Sequence, residues 1–382
     1  MRILFTTVGL SGHLFPLVPL AWAAQAAGHD VLVATAENFV PVVRHAGLPV
    51  VPCGPVGGLP DLTAAGVVDP AAGVAVSVSM AEQRYAHGRA FGRTAGRRLT
   101  EMVGLVASWR PDLLVSERAE FAGPVAAAVH GVAHVEFHWG VAPLAEYRSA
   151  VVDELGEQLA GLGLDGLPAP ALVLNPWPPS LRLAYAAGHR NLRQVPYNGD
   201  ALVPDWVLRP REVPRVCLTL GTVLPTIGDD LAEIVLPVLE RLARLDAEVV
   251  VAVDDKVAAG WPPLPGAVRH AGRMPLSHVL RASDVLIGHG GNSSTLTALE
   301  AGTPQLVLPQ FDDQFDNAQA VEKAGAGVCL LPEEATPRTI ASSCRDLLSD
   351  ELFGTGAADI AAEIAAQPSP TDTVRVLESL AA

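Results

Sequence analysis

Four short stretches of this 382-residue sequence carry residue types able to do chemistry, and each follows a run of apolar residues. In the first, Val285-Leu286-Ile287-Gly288 leads into His289-Gly290-Gly291-Asn292-Ser293-Ser294. Two glycines let a backbone approach a ligand closely, and Asn292, Ser293 or Ser294 can cap a helix whose N-terminus favours anionic oxygens. The turn fits a phosphate cradle, although taken alone it reads more readily as a capped tight turn with His289 in a packing role. The second stretch, Leu220-Gly221-Thr222, repeats the pattern of strand, glycine and hydroxyl residue, where a backbone N–H and the Thr222 hydroxyl can meet a phosphate. The third is Pro309-Gln310-Phe311-Asp312-Asp313-Gln314. A carboxylate next to an amide offers acceptors and donors for vicinal sugar hydroxyls, and two adjacent carboxylates are also of a type that Mg²⁺ accepts. The fourth, Gly9-Leu10-Ser11-Gly12-His13, holds a histidine, whose ordinary pKa near 6.5 suits a general base.

These stretches need elements to position them. Residues 2–7, 31–35 and 50–53 read as strands, with helices at 16–27 and 39–46 between them. A helix at 81–109, a strand at 112–116, a helix at 122–130 and a strand at 133–138 follow. His130, His134 and His138 are spaced by four, as metal ligands on a helix would be, but Gly131 marks a helix end and His134 to His138 reads as a strand. His138, at that strand's end, is expected to line an acceptor pocket. Residues 54–75 lose periodicity and read as a long surface excursion. Residues 190–213 hold Pro196, Asn198, Gly199, Pro204 and Pro210 and read as a link between domains. The alternation then restarts, with strands at 215–220, 248–253, 268–271, 285–288 and 305–308, and helices at 229–245, 276–282, 295–301, 317–324 and 337–349. Two doubly wound α/β domains with parallel sheets are expected, and in such sheets ligands bind beyond the carboxyl ends of the strands. All four chemical stretches sit there.

Composition sets limits on partners. A formal net charge of −15 repels nucleic-acid phosphates and anionic membranes, so any diphosphate must be held by local groups. Cys53, Cys217, Cys329 and Cys344 lie far apart, which argues for reduced thiols rather than a disulfide framework. Gly9 to His13 interrupts the first apolar run, so a signal peptide is not expected and the cytoplasm is the expected compartment. Gly9-x-x-Gly12 lacks the third glycine of a dinucleotide fingerprint, which disfavours a nicotinamide oxidoreductase.

Taken together, His13-x-x-Pro16, Gly221-Thr222, and the run from His289 through Gly302-Thr303-Pro304-Gln305 to Asp313-Gln314-x-Asp316-Asn317 resemble the inverting family 1 glycosyltransferases. The similarity is closest to actinobacterial enzymes that attach sugars from dTDP or UDP donors to polyketide and other antibiotic aglycones, and Val195-Pro196-Tyr197-Asn198-Gly199 is similar to that subgroup too. The resemblance implies the GT-B fold, two Rossmann-like domains facing a cleft. Residues 1–195 would bind a hydrophobic small-molecule acceptor, 196–213 link the halves, 214–368 bind the nucleotide-sugar donor, and 369–382 form a helix crossing back. It implies transfer without a metal or a cofactor beyond the nucleotide sugar, and it leaves room for a homodimer. By position, His13 matches the general base; Thr222, His289, Gly290, Gly291 and Ser294 match diphosphate contacts, with Gly221 beside them; Asp313 and Gln314 match the pair that holds the sugar.

Three departures from the family pattern follow. Where many relatives carry an Asp that orients the histidine, Glu117 is the nearest candidate, with Arg118 beside it as a charge able to neutralise it. Where relatives commonly place a Trp beside the base, this chain has Arg273-Met274-Pro275. Asn292-Ser293 replaces a small Ala-Gly pair, adding polar groups near the phosphates. The rival enzyme class is a sugar-nucleotide epimerase or hydrolase of similar fold.

Overall fold

In the computed structural model the described residues are 1–55, 79–199, 201–222 and 231–381. Most of the surface excursion expected at 54–75, and the first residues of the helix expected at 229–245, lie outside them. The chain forms two wholly parallel sheets. The first comprises β1 (Arg2–Thr6), β2 (Asp30–Thr35), β3 (Val50–Pro52), β4 (Leu113–Glu117), β5 (Ala133–Phe137), β6 (Leu172–Asn175) and β7 (Arg190–Asn191), in the order β3-β2-β1-β4-β5-β6-β7. The second comprises β8 (Arg215–Thr219), β9 (Glu248–Ala252), β10 (Val268–Gly272), β11 (Val285–Gly288), β12 (Gln305–Val307) and β13 (Gly327–Cys329), in the order β10-β9-β8-β11-β12-β13. Both sheets reverse their winding at a central strand pair, β1/β4 and β8/β11. Such a switch point opens a crevice beyond the strand ends.

Burial on both faces explains the apolar strands. Ile3, Leu4 and Phe5 of β1 are essentially inaccessible, each side chain contributing roughly 2 kcal/mol of transfer free energy. In the first half the helices are α1 (Ser11–Leu14), α2 (Val18–Ala26), α3 (Val40–His45), α4 (Met80–Trp109), α5 (Ala122–His130) and α6 (Ala145–Gly161). The 30-residue α4 starts at a capping box, Ser79 with Glu82, and ends at Arg110 in the left-handed region. Its Gly88 packs so tightly on α6 that an added Cβ would lie 2.6 Å from the Tyr147 Cα.

The second half holds α7 (Leu231–Leu242), α8 (Asp255–Ala259), α9 (Leu276–Leu280), α10 (Asn292–Ala301), α11 (Asp313–Lys323), α12 (Pro337–Ser349), α13 (Glu351–Ala365) and α14 (Pro370–Ala381). The last helix returns to the first half, where Val374 and Leu377 are buried with Ile3, Phe5 and Leu20. Between the halves, Val141, Trp177 and Leu181 share an apolar cluster with Leu296, Leu299 and Val307. The link is anchored too: Trp206 is buried among Cys217, Val250 and Met274, with the Arg215 guanidinium 4.6 Å from its ring centre.

Several boundaries differ from the sequence reading. Helix α10 begins at Asn292 rather than 295, because Gly291 takes the N-cap position. Helix α11 begins at Asp313 rather than 317, directly after Asp312, whose φ of 56° and ψ of −127° break the chain direction. No expectation covered α6, β6, β7, β13 or α13. The four cysteines are free. Among the described residues no helix is long and apolar enough to cross a membrane.

Candidate active site

The turn after β1 carries α1, and α1 brings His13 over the end of β4. Its Nδ1 lies 3.0 Å from Oε2 of Glu117, the last residue of that strand. Glu117 is wholly buried. The same oxygen accepts hydrogen bonds from the Trp139 indole Nε1 and the Ala119 N–H, each at 2.8 Å, and Oε1 faces the Val8 N–H at 3.4 Å. Burial would raise this carboxyl's pKa; the His13 charge and hydrogen bond, with Trp139 and Ala119, outweigh it and hold the group below its usual range. It is therefore a carboxylate that can only accept, so His13 donates through Nδ1, and when the ring is neutral its lone pair is on Nε2.

Arg118 does not neutralise Glu117. It donates to the carbonyls of Trp139, Ala142 and Pro143 at 2.7 to 2.9 Å and lies over the Trp139 ring at 5.3 Å. The extra methylene of glutamate is accommodated. Around His13 stand Trp139 at 4.8 Å and Phe91 at 5.8 Å between ring centres.

His138 lies elsewhere. Its ring is buried against His189 at 4.9 Å and Tyr185 at 5.9 Å, and burial with nearby Arg118 holds it well below its ordinary pKa. It is the next residue, Trp139, that meets His13. His134 donates to or accepts from Ser116 Oγ at 2.8 Å within the sheet, while His130 closes α5, so the three histidines form no cluster.

Across the cleft, Gly221 follows β8 and His289 follows β11, the neighbouring strand. The two fit together: with Gly221 at φ +72°, an added Cβ would fall 2.5 Å from His289 Cε1. Burial pushes the His289 imidazole down to about 4, so it is neutral near pH 7 and presents a fixed dipole. Thr222 is exposed beside it. Helix α10 starts here, and the N–H groups of its first turn have no partner within the helix, which suits an anion. The Ser294 hydroxyl donates back to the Gly291 carbonyl at 3.0 Å, and Ser293 Oγ is buried without a partner among the described residues.

Asn292 neither caps the helix nor turns its side chain to the turn. Its Oδ1 accepts from the Gly140 N–H at 2.9 Å and from Trp177 Nε1 at 2.8 Å, joining the two halves. Asn317 does likewise: Oδ1 accepts from Val141 N–H at 2.9 Å, and Nδ2 donates to the Gly290 carbonyl and to Asp313 Oδ2, both at 2.8 Å. Sequence reasoning missed the partners Gly140, Trp177 and Asn317 as site residues. Only Asn317 carried a signal, as the end of the motif run.

The partly buried Asp313 opens α11, and desolvation together with the Asp312 charge pushes its pKa up to about 7, against the Asn317 hydrogen bond. Gln314 Oε1 accepts from the Gln310 N–H at 2.9 Å, which fixes the loop before it. Asp312, the other half of the magnesium alternative, is occupied by His87, Tyr147 and Arg84. Among the described residues no group of three or more His, Cys, Asp and Glu is placed to hold a metal ion. Arg273 places its guanidinium by Gly199 and its N–H on Asp255 Oδ1 at 2.7 Å, Met274 is buried, and Pro275 opens α9. Asn198 caps that helix through the Ser277 N–H at 2.8 Å, and Tyr197 packs between Phe15 and Trp22.

Known proteins share this architecture and sequence. Residues 22–221 match the N-terminal domain of the Erythromycin biosynthesis protein CIII-like family, and residues 236–380 match its C-terminal domain. The L-demethylnoviosyl transferase of Streptomyces niveus is 39% identical over 100% of this chain and 98% of its own. Among solved structures, the Streptomyces sp. SF2575 glycosyltransferase SsfS6, complexed with thymidine diphosphate, superposes with a TM-score of 0.85 at 36% identity over 99% of both chains. The spinosyn rhamnosyltransferase SpnG, complexed with spinosyn aglycone, gives 0.87 at 30% identity over 99% of this chain and 100% of its own. Each is a sugar transferase, and none favours an epimerase or hydrolase. Two facing Rossmann-like sheets, site residues at both switch points and matches along the whole chain together place this protein in the EryCIII-like family of natural-product glycosyltransferases, family 1 enzymes of the GT-B fold.

Proposed function

We propose that this glycosyltransferase moves a sugar or deoxysugar from a dTDP- or UDP-sugar to a hydroxyl of a hydrophobic natural-product aglycone, with inversion and without a metal. The observation that carries this reading is the 3.0 Å contact of His13 Nδ1 with the buried Glu117 carboxylate. With Nδ1–H given to Glu117, Nε2 is the base that takes the acceptor's hydroxyl proton as that oxygen attacks the anomeric carbon. Glu117 holds the ring's orientation and stabilises the imidazolium that forms. The diphosphate leaves on the opposite face, towards the first turn of α10, Ser293, Ser294, His289 and Thr222, whose dipoles meet charge as it develops. Asp313 and Gln314 hold the sugar hydroxyls. Thymidine diphosphate in the SsfS6 complex and the aglycone in the SpnG complex support the donor and acceptor classes by relationship.

The test is His13→Ala, assayed for transfer to an aromatic or macrolide acceptor panel with dTDP- and UDP-sugars. The expected loss in kcat is about a thousandfold or more, with dTDP still raising the melting temperature. Transfer at the wild-type rate would sink the general-base assignment, and a retained anomeric configuration in the product would sink the inverting mechanism.

A further inference from the structure

Asp312 is held by the opposite half through both its backbone and its side chain. At φ 56° and ψ −127° it occupies a conformation that residues with a Cβ rarely adopt, and its side chain does not cap the helix it precedes. Its N–H, its carbonyl and one carboxylate oxygen, Oδ2, are hydrogen-bonded from the first half. Its N–H donates to Gln83 Oε1 at 3.2 Å, its carbonyl accepts from Arg84 Nη2 at 3.4 Å, and its carboxylate accepts from His87 Nδ1 at 2.5 Å and from the Tyr147 hydroxyl. Arg84 Nε stands 3.3 Å from the other carboxylate oxygen, and the same guanidinium reaches Asp316 one turn along α11.

Three of these partners, Gln83, Arg84 and His87, lie on a single turn of α4. The fourth comes from α6, which Gly88 lets approach closely enough for the Tyr147 hydroxyl to stand 3.3 Å from His87 Nδ1. The held residue is immediately followed by Asp313 and Gln314. A backbone fixed at so unusual a torsion sets the direction of the next residue, so the network acts on the orientation of Asp313 and Gln314. An open cleft would release Asp312 and leave that torsion without support.

We propose that Arg84, His87 and Tyr147 form a latch on Asp312, by which closure of the acceptor half positions Asp313 and Gln314 on the donor sugar. They are positioning residues, and the inference rests on the reading that Asp313 and Gln314 hold the sugar. Donor sugar is then gripped only when the acceptor half has closed, which ties sugar recognition to assembly of the whole site. The nucleotide and diphosphate, bound at the turns after β8 and β11, do not depend on the latch.

Titration calorimetry of the full chain with dTDP and with dTDP-glucose gives two dissociation constants, and their ratio isolates the sugar's share. In Tyr147→Phe and in Asp312→Asn the ratio of the dTDP-glucose constant to the dTDP constant is expected to rise about tenfold, while the dTDP constant stays within about twofold. The double variant should be no worse than the poorer single one, because both remove one contact. Circular dichroism establishes that each variant is folded, and Tyr147→Phe, which removes a single oxygen, decides alone if Asp312→Asn does not fold. A latch that merely stabilises the fold would leave the ratio unchanged, and that result overturns the proposal. Asp313→Asn separates the two layers. If the ratio rises there but not in the latch variants, the latch alone fails; if it is flat in Asp313→Asn, the sugar-holding reading fails and the latch with it.

Discussion

The two switch points of this molecule have the same topology and opposite construction. At β1/β4 the groups around His13 are satisfied from within: Glu117 receives His13, Trp139 and Ala119, and Arg118 is taken up by three carbonyls. At β8/β11 the backbone is stripped to glycine around His289, and a buried hydroxyl at Ser293 lacks a partner among the described residues. A proton relay works only when its donor and acceptor are aligned in advance, so its surroundings are completed by the protein. An anion cradle must keep donors available for a ligand, so its surroundings are left incomplete. Under the proposed function, the difference would separate a place where protons are moved from a place where charge is received.

The largest effect that tests this contrast is at Glu117. Glu117→Gln keeps shape and one acceptor oxygen but removes the charge that fixes the His13 tautomer. By analogy with other carboxylate-oriented histidines, kcat should fall about a thousandfold while dTDP affinity is unchanged. A fall of less than about tenfold would mean that the completed network is structural support and not part of the relay. Gly221→Ala probes the other side. Its Cβ would lie 2.5 Å from His289 Cε1 and its φ is +72°, so the imidazole must move and the turn with it. A loss of about tenfold or more in dTDP affinity is expected by titration, with a smaller change in acceptor KM. Wild-type dTDP binding would show that the fit of the glycine to the ring has no bearing on the cradle.

The sequence was informative where a candidate site is carried by a short local pattern. His289-Gly290-Gly291, Gly221-Thr222 and Asp313-Gln314 each follow an apolar strand, and strand ends could be ranked without knowing how the sheets pair. Glu117 came through the family resemblance, as the nearest carboxylate where relatives carry an Asp; the role of Arg118 was not legible, because its three carbonyl partners lie 21 to 25 residues away in the chain. Asn292 shows the same limit. As a polar residue at a helix start it reads as a cap, yet its partners are Gly140 and Trp177 of the other half. Helix α6 went unassigned since its buried face is set by α4, through Gly88, rather than by a strong period of its own. The C-terminal helix α14 came from the family resemblance, with which the apolar residues of the tail agree; Val374 and Leu377 lie on its buried side.

The smallest expected effect is also the one that resolves two neighbours. Asp312 is held below its ordinary pKa: burial opposes ionisation, but His87, Tyr147 and Arg84 overcome it. Asp313 is pushed up from 3.8 to about 7, first by burial and then by the charge of Asp312. The signs follow from proton linkage. For Asp313 the folded state binds its proton more tightly than the unfolded chain does, so its contribution to stability is complete below about 3.8 and is lost as pH rises to about 7. For Asp312 the contribution is present above 3.8 and is lost as pH falls towards its lowered folded value. Asp313→Asn removes the first titration. The difference in unfolding free energy, variant minus wild type, should therefore grow by about 2 to 3 kcal/mol between pH 5 and pH 7 and then level off. Asp312→Asn should show a smaller rise over that interval: Asp312 is itself ionised throughout it, but its charge is the second cause that raises Asp313, so its removal takes away only part of that titration's shift. Urea unfolding at pH 5, 6, 7 and 8 measures both. Parallel curves for wild type and Asp313→Asn would mean that this carboxyl is charged throughout, and the donor side would then carry a fixed negative charge facing the sugar instead of a group that loses its proton near neutrality.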